Sequence, residues 1–204
     1  MAEFLKVHDE RRASVESFLL GENILYYEGN ISLLQKTVIG VIGTRNPSET
    51  GLYNASYISS VLSKKGYAVL SGLAKGIDTA VHKASLSSTV AVLPTSLDKP
   101  TYPKENASLR REIIKSGGLV VSPFKEGSML YKSSFIIRDR IQAYLSKSLI
   151  VIESSASGGS MHALKWAAAH KRTVYVLKDE KRLFPLLQNP YVHFVSVREI
   201  ENML

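Results

Sequence analysis

Along the chain, short runs of uninterrupted apolar residues alternate with stretches in which apolar positions recur every three or four residues. The runs are Val38–Gly43, Tyr67–Ser71, Thr89–Leu93, Leu119–Ser122, Ser148–Ile152, Thr173–Leu177 and Val192–Val195, each bounded by Gly, Pro, Ser or charged residues. A strand covered on one face alternates apolar and polar positions, whereas a continuously apolar run predicts a strand buried on both faces. Between the runs, Leu52, Ala55, Ile58 and Leu62 keep helical spacing, and so do Ile137, Ile141, Tyr144 and Leu145. Strand and helix alternating in this way predict a mostly parallel sheet with helices on both faces, a Rossmann-like α/β fold.

The remaining pattern lies at the ends. Residues 24–37, "ILYYEGNISLLQKT", predict an edge strand and a turn leading into the first buried strand, and residues 1–20 read as a short extra helix. The expected organisation is an N-terminal helical extension, 1–23, followed by one domain, 24–204. A hydrophobic fraction of 45% suits a chain with a real core. No apolar run approaches the roughly 18 residues that span a bilayer, and residues 1–20 lack the apolar centre of a signal peptide. Absence of cysteine removes disulfides and thiolate metal sites and fits a reducing compartment. The expectation is a cytoplasmic protein without a membrane partner. Lys and Arg outnumber Asp and Glu by 26 to 18, and the net charge of +8 favours a polyanionic partner such as nucleic acid.

In an open parallel sheet, ligands bind beyond the carboxyl ends of the strands. The loops there are "GTRNPS" with Arg45, "SGLAKG" with Lys75, the thirteen-residue "PTSLDKPTYPKEN" with Lys99 and Lys104, and "PFKEGS" with Lys125, so four successive loops carry a cation. Gly43, Gly72, Gly76, Gly158 and Gly159 lie at strand-to-helix handovers, where small residues let backbone N–H groups approach a phosphate. The alternative for these glycines is a set of tight turns. Neither G-x-G-x-x-G nor G-x-x-x-x-G-K-[ST] occurs, which argues against a standard dinucleotide or P-loop site, and no cofactor is indicated. His82 and His162 fall early in predicted helices without H-E-x-x-H or G-x-S-x-G around them. Asp78 sits where a helix begins and reads as a cap rather than a catalytic acid, while Glu153, beside "SSASGGS", reads as a hydrogen-bond partner of the turn, with a base or a ribose-hydroxyl ligand as its alternatives. No nucleophile–base pair emerges, so no catalytic residue and no metal site is expected. Arg138 and Arg140 stand about 200° apart on a helix, so when one meets a ligand the other pairs with an acid or another surface; the alternative is two arginines on a solvated helix face.

Several stretches together form a recognisable series. "VIGVIGTRNPSETG", "VLSGLAKGIDTAVHKASL", "VAVLPTSLDKPTYPKEN", "FIIRDRIQAYLS" and "LIVIESSASGGSMHAL" resemble, in order and spacing, the DprA/Smf family of DNA-processing proteins, from about Leu25 to the end. The resemblance implies a Rossmann-like domain that binds single-stranded DNA without sequence specificity, often as a homodimer, and that helps load the recombinase RecA during DNA uptake and natural transformation. It implies no catalytic reaction. Carried over, Thr44 and Arg45 of "GTR" would contact the DNA backbone. Ser71, Gly72, Lys75 and Gly76 match the family's "SGLARGID", with lysine in place of arginine. Lys104 and Asn106 match "YPxxN", and Arg138 and Arg140 match "RNRIIAGLS". Tyr102, Phe124, Tyr131 and Phe135 lie in or beside the same loops, where rings can stack on bases.

This sequence departs from the pattern in three places. Pro94 and Ser96 replace two glycines, Asp139 replaces the asparagine of "RNR", and "SGGSMHALKWA" replaces "SGSLITA". Typical members also carry an N-terminal helical domain or a C-terminal winged-helix-like domain, for which 204 residues leave no room, and that bears on RecA loading more than on DNA binding. A second reading is a nucleotide-sensing or nucleotide-cleaving protein on the related lysine-decarboxylase-like "LOG" scaffold. Those enzymes end a glycine loop with a catalytic glutamate, where this chain has Ala163, Leu164 and Lys165. A third is an interaction module that kept the fold and lost DNA binding. For Arg45, the competing role is an ion pair with Glu49, four residues on.

Overall fold

The computed structural model describes residues 6–7, 16–20, 23–154, 158–178 and 188–203. Their strands form one sheet. Seven are parallel: β4 (Val38–Ile42), β5 (Ala68–Ser71), β6 (Thr89–Val92), β7 (Leu119–Ser122), β8 (Ser148–Val151), β9 (Thr173–Leu177) and β10 (Val192–Val195). Three antiparallel strands, β1 (Lys6–Val7), β2 (Glu16–Leu20) and β3 (Asn23–Gly29), extend the β7 edge, giving the order β1-β2-β3-β7-β6-β5-β4-β8-β9-β10. The helices are α1 (Glu49–Lys64), α2 (Ile77–Ala84), α3 (Ala107–Lys115), α4 (Lys132–Leu145), α5 (Ser160–Ala169) and α6 (Val197–Met203).

Residues on successive strand positions feed opposite faces. Ile39 and Val41 pack with Ala55, Ile58 and Leu62 of α1, Val81 of α2 and Ile200 of α6. Ala91 and Val120 pack on the same side with Leu109 and Ile113 of α3. On the other face, Ile42, Leu149 and Val151 meet Ala143 of α4 and Leu164 and Ala167 of α5. Leu70, Val90 and Leu119 meet Ile141 and Leu145 there. Burial on both faces accounts for the unbroken apolar runs, and the expected strands match to within one residue at each end.

Two expectations need correction. The stretch 1–20 was expected to be helical, yet Glu16–Leu20 is strand β2, paired antiparallel with β3 from Glu16–Tyr27 to Leu20–Asn23. Gly21 after the apolar end of that run is a hairpin signal, and the hairpin supplies the ladder partner that β3 would otherwise lack. The rest of 1–15 outside Lys6–Val7 lies beyond the described residues. The second correction concerns β3, expected at the sheet edge but paired on both sides, with β2 and with β7. The helix expected from Ile137, Ile141, Tyr144 and Leu145 is α4, in which Ile137 and Tyr144 are exposed while a polar stripe of Ser134, Arg138, Asp139 and Gln142 turns inward beside Ile141, Ala143 and Leu145.

Chain order runs β4, β5, β6, β7 in one direction across the sheet and then returns to place β8 on the other side of β4. The crevice between the carboxyl ends of β4 and β8 is therefore the topological switch point, where ligands of such sheets bind.

Candidate functional site

A cavity of about 400 Å³ occupies that crevice, between the loop after β4 (Gly43–Asn46), the first turn of α2, the inward face of α4 and the start of α5 at Gly158–Ser160. Its floor is charged and almost fully buried. Arg138 Nη1 donates to the Gly72 carbonyl at 2.6 Å and Nε to Asp139 Oδ1 at 2.9 Å. Asp78 Oδ2 accepts from the N–H groups of Gly72 and Ala74, both at 3.2 Å. Gln142, four residues after Arg138 on the same helix face, lies against Gly72 N–H and Asp139; with its amide oriented to satisfy both, its oxygen accepts from Gly72 N–H at 2.9 Å and its nitrogen donates to Asp139 at 3.3 Å. Burial pushes both carboxyls above their ordinary range, with Arg138 opposing the shift, and Asp78 adds to the rise at Asp139.

Behind this cluster, His82 is fully buried in the last turn of α2. Leu73 N–H donates to its Nε2 at 3.1 Å, so the ring proton sits on Nδ1, which faces Thr89 Oγ1 at 2.7 Å. Thr89 in turn donates to the Val69 carbonyl at 3.0 Å. Burial, reinforced by Arg138, lowers the histidine to about 3 and keeps it neutral. Its role is to hold the turn after β5.

The glycines of that turn have two separate causes. A Cβ on Gly72 would lie 2.0 Å from Arg138 Nη1, so the guanidinium occupies the side-chain space. Gly76 takes φ of +75° and would place a Cβ 2.5 Å from the Thr44 carbonyl. Close packing of the β4 and β5 loops, in which Ile77 N–H donates to the Thr44 carbonyl at 3.2 Å, brings "GTR" beside "SGLAKG".

The rim differs. Arg45 is exposed and lines both the crevice and a smaller pocket of about 70 Å³ formed with Lys75, Pro94, Tyr102, Pro103 and Phe135. Its guanidinium carbon lies 5.5 Å from the centroid of Phe135, and Tyr102 meets that ring edge-on at 5.4 Å. It forms no ion pair with Glu49, so a cation–π contact takes the place of the competing role. Lys75 is paired with Glu105 at 2.5 Å, both exposed. The ten-residue helix α5 starts at the crevice behind Gly159, which supplies no side-chain cap, so its N-terminal partial charge faces the cavity. A floor of fixed dipoles and balanced charge beneath a rim of cation and rings can hold an anionic chain whose aromatic groups stack.

A sequence profile of DNA recombination-mediator protein A matches residues 21–183. The chain belongs to this family. It is 36% identical over 157 residues to DNA processing protein DprA of Streptococcus pneumoniae (strain ATCC BAA-255 / R6), covering 76% of this chain and 55% of that protein. Protein Smf of Synechocystis sp. is 36% identical over 163 residues, covering 76% of this chain and 40% of Smf. The chain thus spans about half the length of these relatives or less. Its fold superposes on the structure of DNA processing protein A from Helicobacter pylori with a TM-score of 0.83 and 25% identity, over 98% of this chain and 95% of that one. The Helicobacter protein is described by its single-stranded DNA binding mode.

Within this recombination-mediator fold, the residues marked from sequence separate into three groups. Thr44, Arg45, Gly72, Lys75 and Arg138 line the crevice or the small pocket. Ser71, Gly76 and Asn106 are framework: Ser71 Oγ donates to the Val41 carbonyl at 2.8 Å, and Gly76 begins α2. The buried Asn106 amide donates to Leu73 O at 2.9 Å, Ala74 O at 3.1 Å and Thr79 Oγ1 at 2.9 Å, so its hydrogens serve the loop. Lys104 and Arg140 are exposed but line neither cavity. Asp78 pins the turn after β5, and Glu153 accepts from Ser48 N–H at 3.0 Å, ordering the start of α1. Gln142 was missed, although a glutamine four residues after an arginine in an amphipathic helix is a readable polar stripe.

Proposed function

We propose that this chain binds single-stranded DNA without sequence specificity and serves DNA processing and recombination. The observation that carries the reading is Arg45: exposed, paired with no acid among the described residues, and held against Phe135 at the mouth of the switch-point crevice. A guanidinium can take phosphate oxygens in a bidentate fork, and the neighbouring ring offers a face on which any base stacks. Contacts of these two kinds read no base edge, so they favour neither sequence nor the paired bases of a duplex. The family and the Helicobacter relative support the same reading. As one part of a longer relative's length, the domain would supply DNA binding, with homodimerisation and RecA loading as activities of the assembled, cytoplasmic protein.

A nucleotide-binding reading has one observation in its favour, since the switch point is where mononucleotides sit in related sheets. Hydrolysis lacks its acid: Ala163 and Leu164 are buried and Lys165 is exposed on α5. A single titration separates the readings. Labelled single strand, duplex and free mononucleotides are added to the purified protein at several salt concentrations. Preference for single strand is expected, with log affinity falling linearly in log salt by about 0.7 per phosphate contact. Affinity that is independent of salt sinks the phosphate contacts, and tighter binding of a mononucleotide than of any strand sinks DNA as the ligand.

A further inference from the structure

Outside the site, a groove of about 450 Å³ runs between the loop 97–101 and the outer face of α3. Its walls carry Lys99, Lys104 and Arg111, and its floor is apolar, built from Leu97, Ala107 and Ile114. A fourth cation, Arg110, is neutralised by Glu28 at 2.8 Å and donates to the Leu97 carbonyl at 2.9 Å, so it braces the groove from beneath. The other three are differently placed. Lys104 and Arg111 are exposed and pair with no acid among the described residues, and Lys99 has only Asp98 at 4.0 Å. Glu28, the acid that lines the groove, is taken up by Arg110, so three loosely held cations stand beside an apolar strip.

The groove is continuous with the rim. The segment Pro100–Lys104 is a shared wall: Tyr102 and Pro103 face the small pocket beside Arg45, while Pro100, Thr101 and Lys104 face the groove. Glu105, which holds Lys75 of the rim, follows Lys104 directly, and Asn106 ties this wall to the turn after β5. The wall is therefore fixed relative to the crevice, and only Pro103 separates Tyr102 of the rim from Lys104 of the groove.

Resting on the DNA reading above, we propose that the α3 groove is a second segment of the single-strand path, with Lys99, Lys104 and Arg111 contacting phosphates beyond those held at the crevice. An acidic polypeptide is the competing occupant. The apolar floor and the continuity with the ring-lined rim favour the nucleic acid, whose sugars and bases need such a surface between phosphates. The test compares oligothymidylates of about 4 and about 16 nucleotides, lengths that bracket single-strand site sizes. The parent and the charge-reversed Lys99→Glu/Arg111→Glu variant are measured against both lengths, with thermal melts to check folding. For the parent, the longer strand should bind more tightly and with a steeper salt slope. The variant should match the parent on the short strand while its long-strand slope is shallower by about 1.4, two contacts' worth. If the variant follows the parent on both lengths, the groove does not carry DNA and the crevice reading survives. If the parent binds neither length, the DNA reading and this extension fall together. If polyglutamate binds the parent, is lost in the variant and does not compete with DNA, the groove belongs to an acidic polypeptide.

Discussion

On the floor of the crevice, Arg138 is 5% exposed and is locked between the Gly72 carbonyl and Asp139, whereas at the rim Arg45 is exposed and lies against a ring face. Both are arginines at the same sheet end, within one cavity wall. The floor guanidinium is paired with Asp139, acts on the charge of Asp78 and fills the space of an absent Cβ at Gly72, so its charge is consumed by the fold. The rim guanidinium has no acid to satisfy among the described residues, so its charge is open to a ligand. Arginine in a site is thus not one signal but two, separated by what its fork already holds. Removing the floor group should destabilise the domain, and removing the rim group should leave it folded with weaker binding.

The largest expected effect tests the floor. Arg138→Met keeps the length of the side chain and strips the charge from between Asp78 and Asp139. Breaking a buried pair in this way costs about 3–5 kcal/mol, because the partner charges stay buried and unpaired. Urea denaturation of parent and variant measures it. A loss under about 1 kcal/mol would mean that the cluster does not hold the turn after β5. Asn106→Ala comes next: it leaves the buried Leu73 carbonyl without its side-chain donor, while the Ala74 carbonyl keeps only the Thr79 hydroxyl, at a cost of about 2 kcal/mol.

At the rim, Arg45→Ala should weaken single-strand binding about tenfold and shrink the salt slope by about 0.7, with the melting temperature unchanged. Arg45→Lys keeps the charge and loses the fork and the flat stacking face, so binding falls less and the slope stays. A variant that loses stability and keeps its affinity would move Arg45 to the framework and reverse the comparison.

The same contrast explains what the sequence could disclose. Strand positions were legible because both faces of each strand are covered, which leaves unbroken runs such as Val38–Ile42. The handover turns were legible because Gly72 and Gly76 have no tolerable substitute there. Arg45 stood out by following a buried strand by two residues. What sequence could not divide was framework from free surface: Asn106 is buried and Lys104 exposed two residues apart in one loop, and only the direction of each side chain separates them. Arg138 and Arg140 show the reverse. Their angular separation required different fates, and Arg138 does take an acid, but it does so while lining the crevice, and Arg140 points elsewhere. The N-terminal extension was misread because Glu16–Leu20 is too short to display a period, and its pairing with β3 is a tertiary fact.

A smaller effect comes from Asp139, the acid within the floor. Burial raises its pKa above the ordinary 3.8, so the folded state holds that proton more tightly than the unfolded chain does. Stability contributed by this group is therefore present at low pH and lost as pH rises through the raised value. Asp139→Asn removes the titration and keeps an oxygen for Arg138. The variant should be more stable than the parent at about pH 7, with the advantage vanishing toward about pH 4, and should bind DNA somewhat more tightly as the crevice loses negative charge. Equal stability at both pH values would mean that the carboxyl is not desolvated in solution.

The smallest expected effect falls on Lys75, which belongs to neither extreme. It lines the small rim pocket, yet its ammonium is held by Glu105 in an exposed pair. Such a pair is screened by solvent and contributes little to folding, so neither partner's removal should move the melting temperature. Binding should respond in opposite senses. A phosphate must displace Glu105 to reach Lys75, so Glu105→Gln frees the lysine and should tighten single-strand binding a few-fold, most visibly at low salt. Lys75→Ala deletes the contact and also leaves Glu105 as an uncompensated anion on the strand's path, so affinity should fall for every sequence alike. In the double variant both charges are gone and affinity should lie between the two single variants. If Glu105→Gln leaves binding unchanged, the strand does not pass Lys75, and the rim contracts to Arg45 and its rings. If Lys75→Ala instead lowers the melting temperature with binding intact, the lysine belongs with Arg138 in the framework, and exposure alone does not distinguish contact from scaffold.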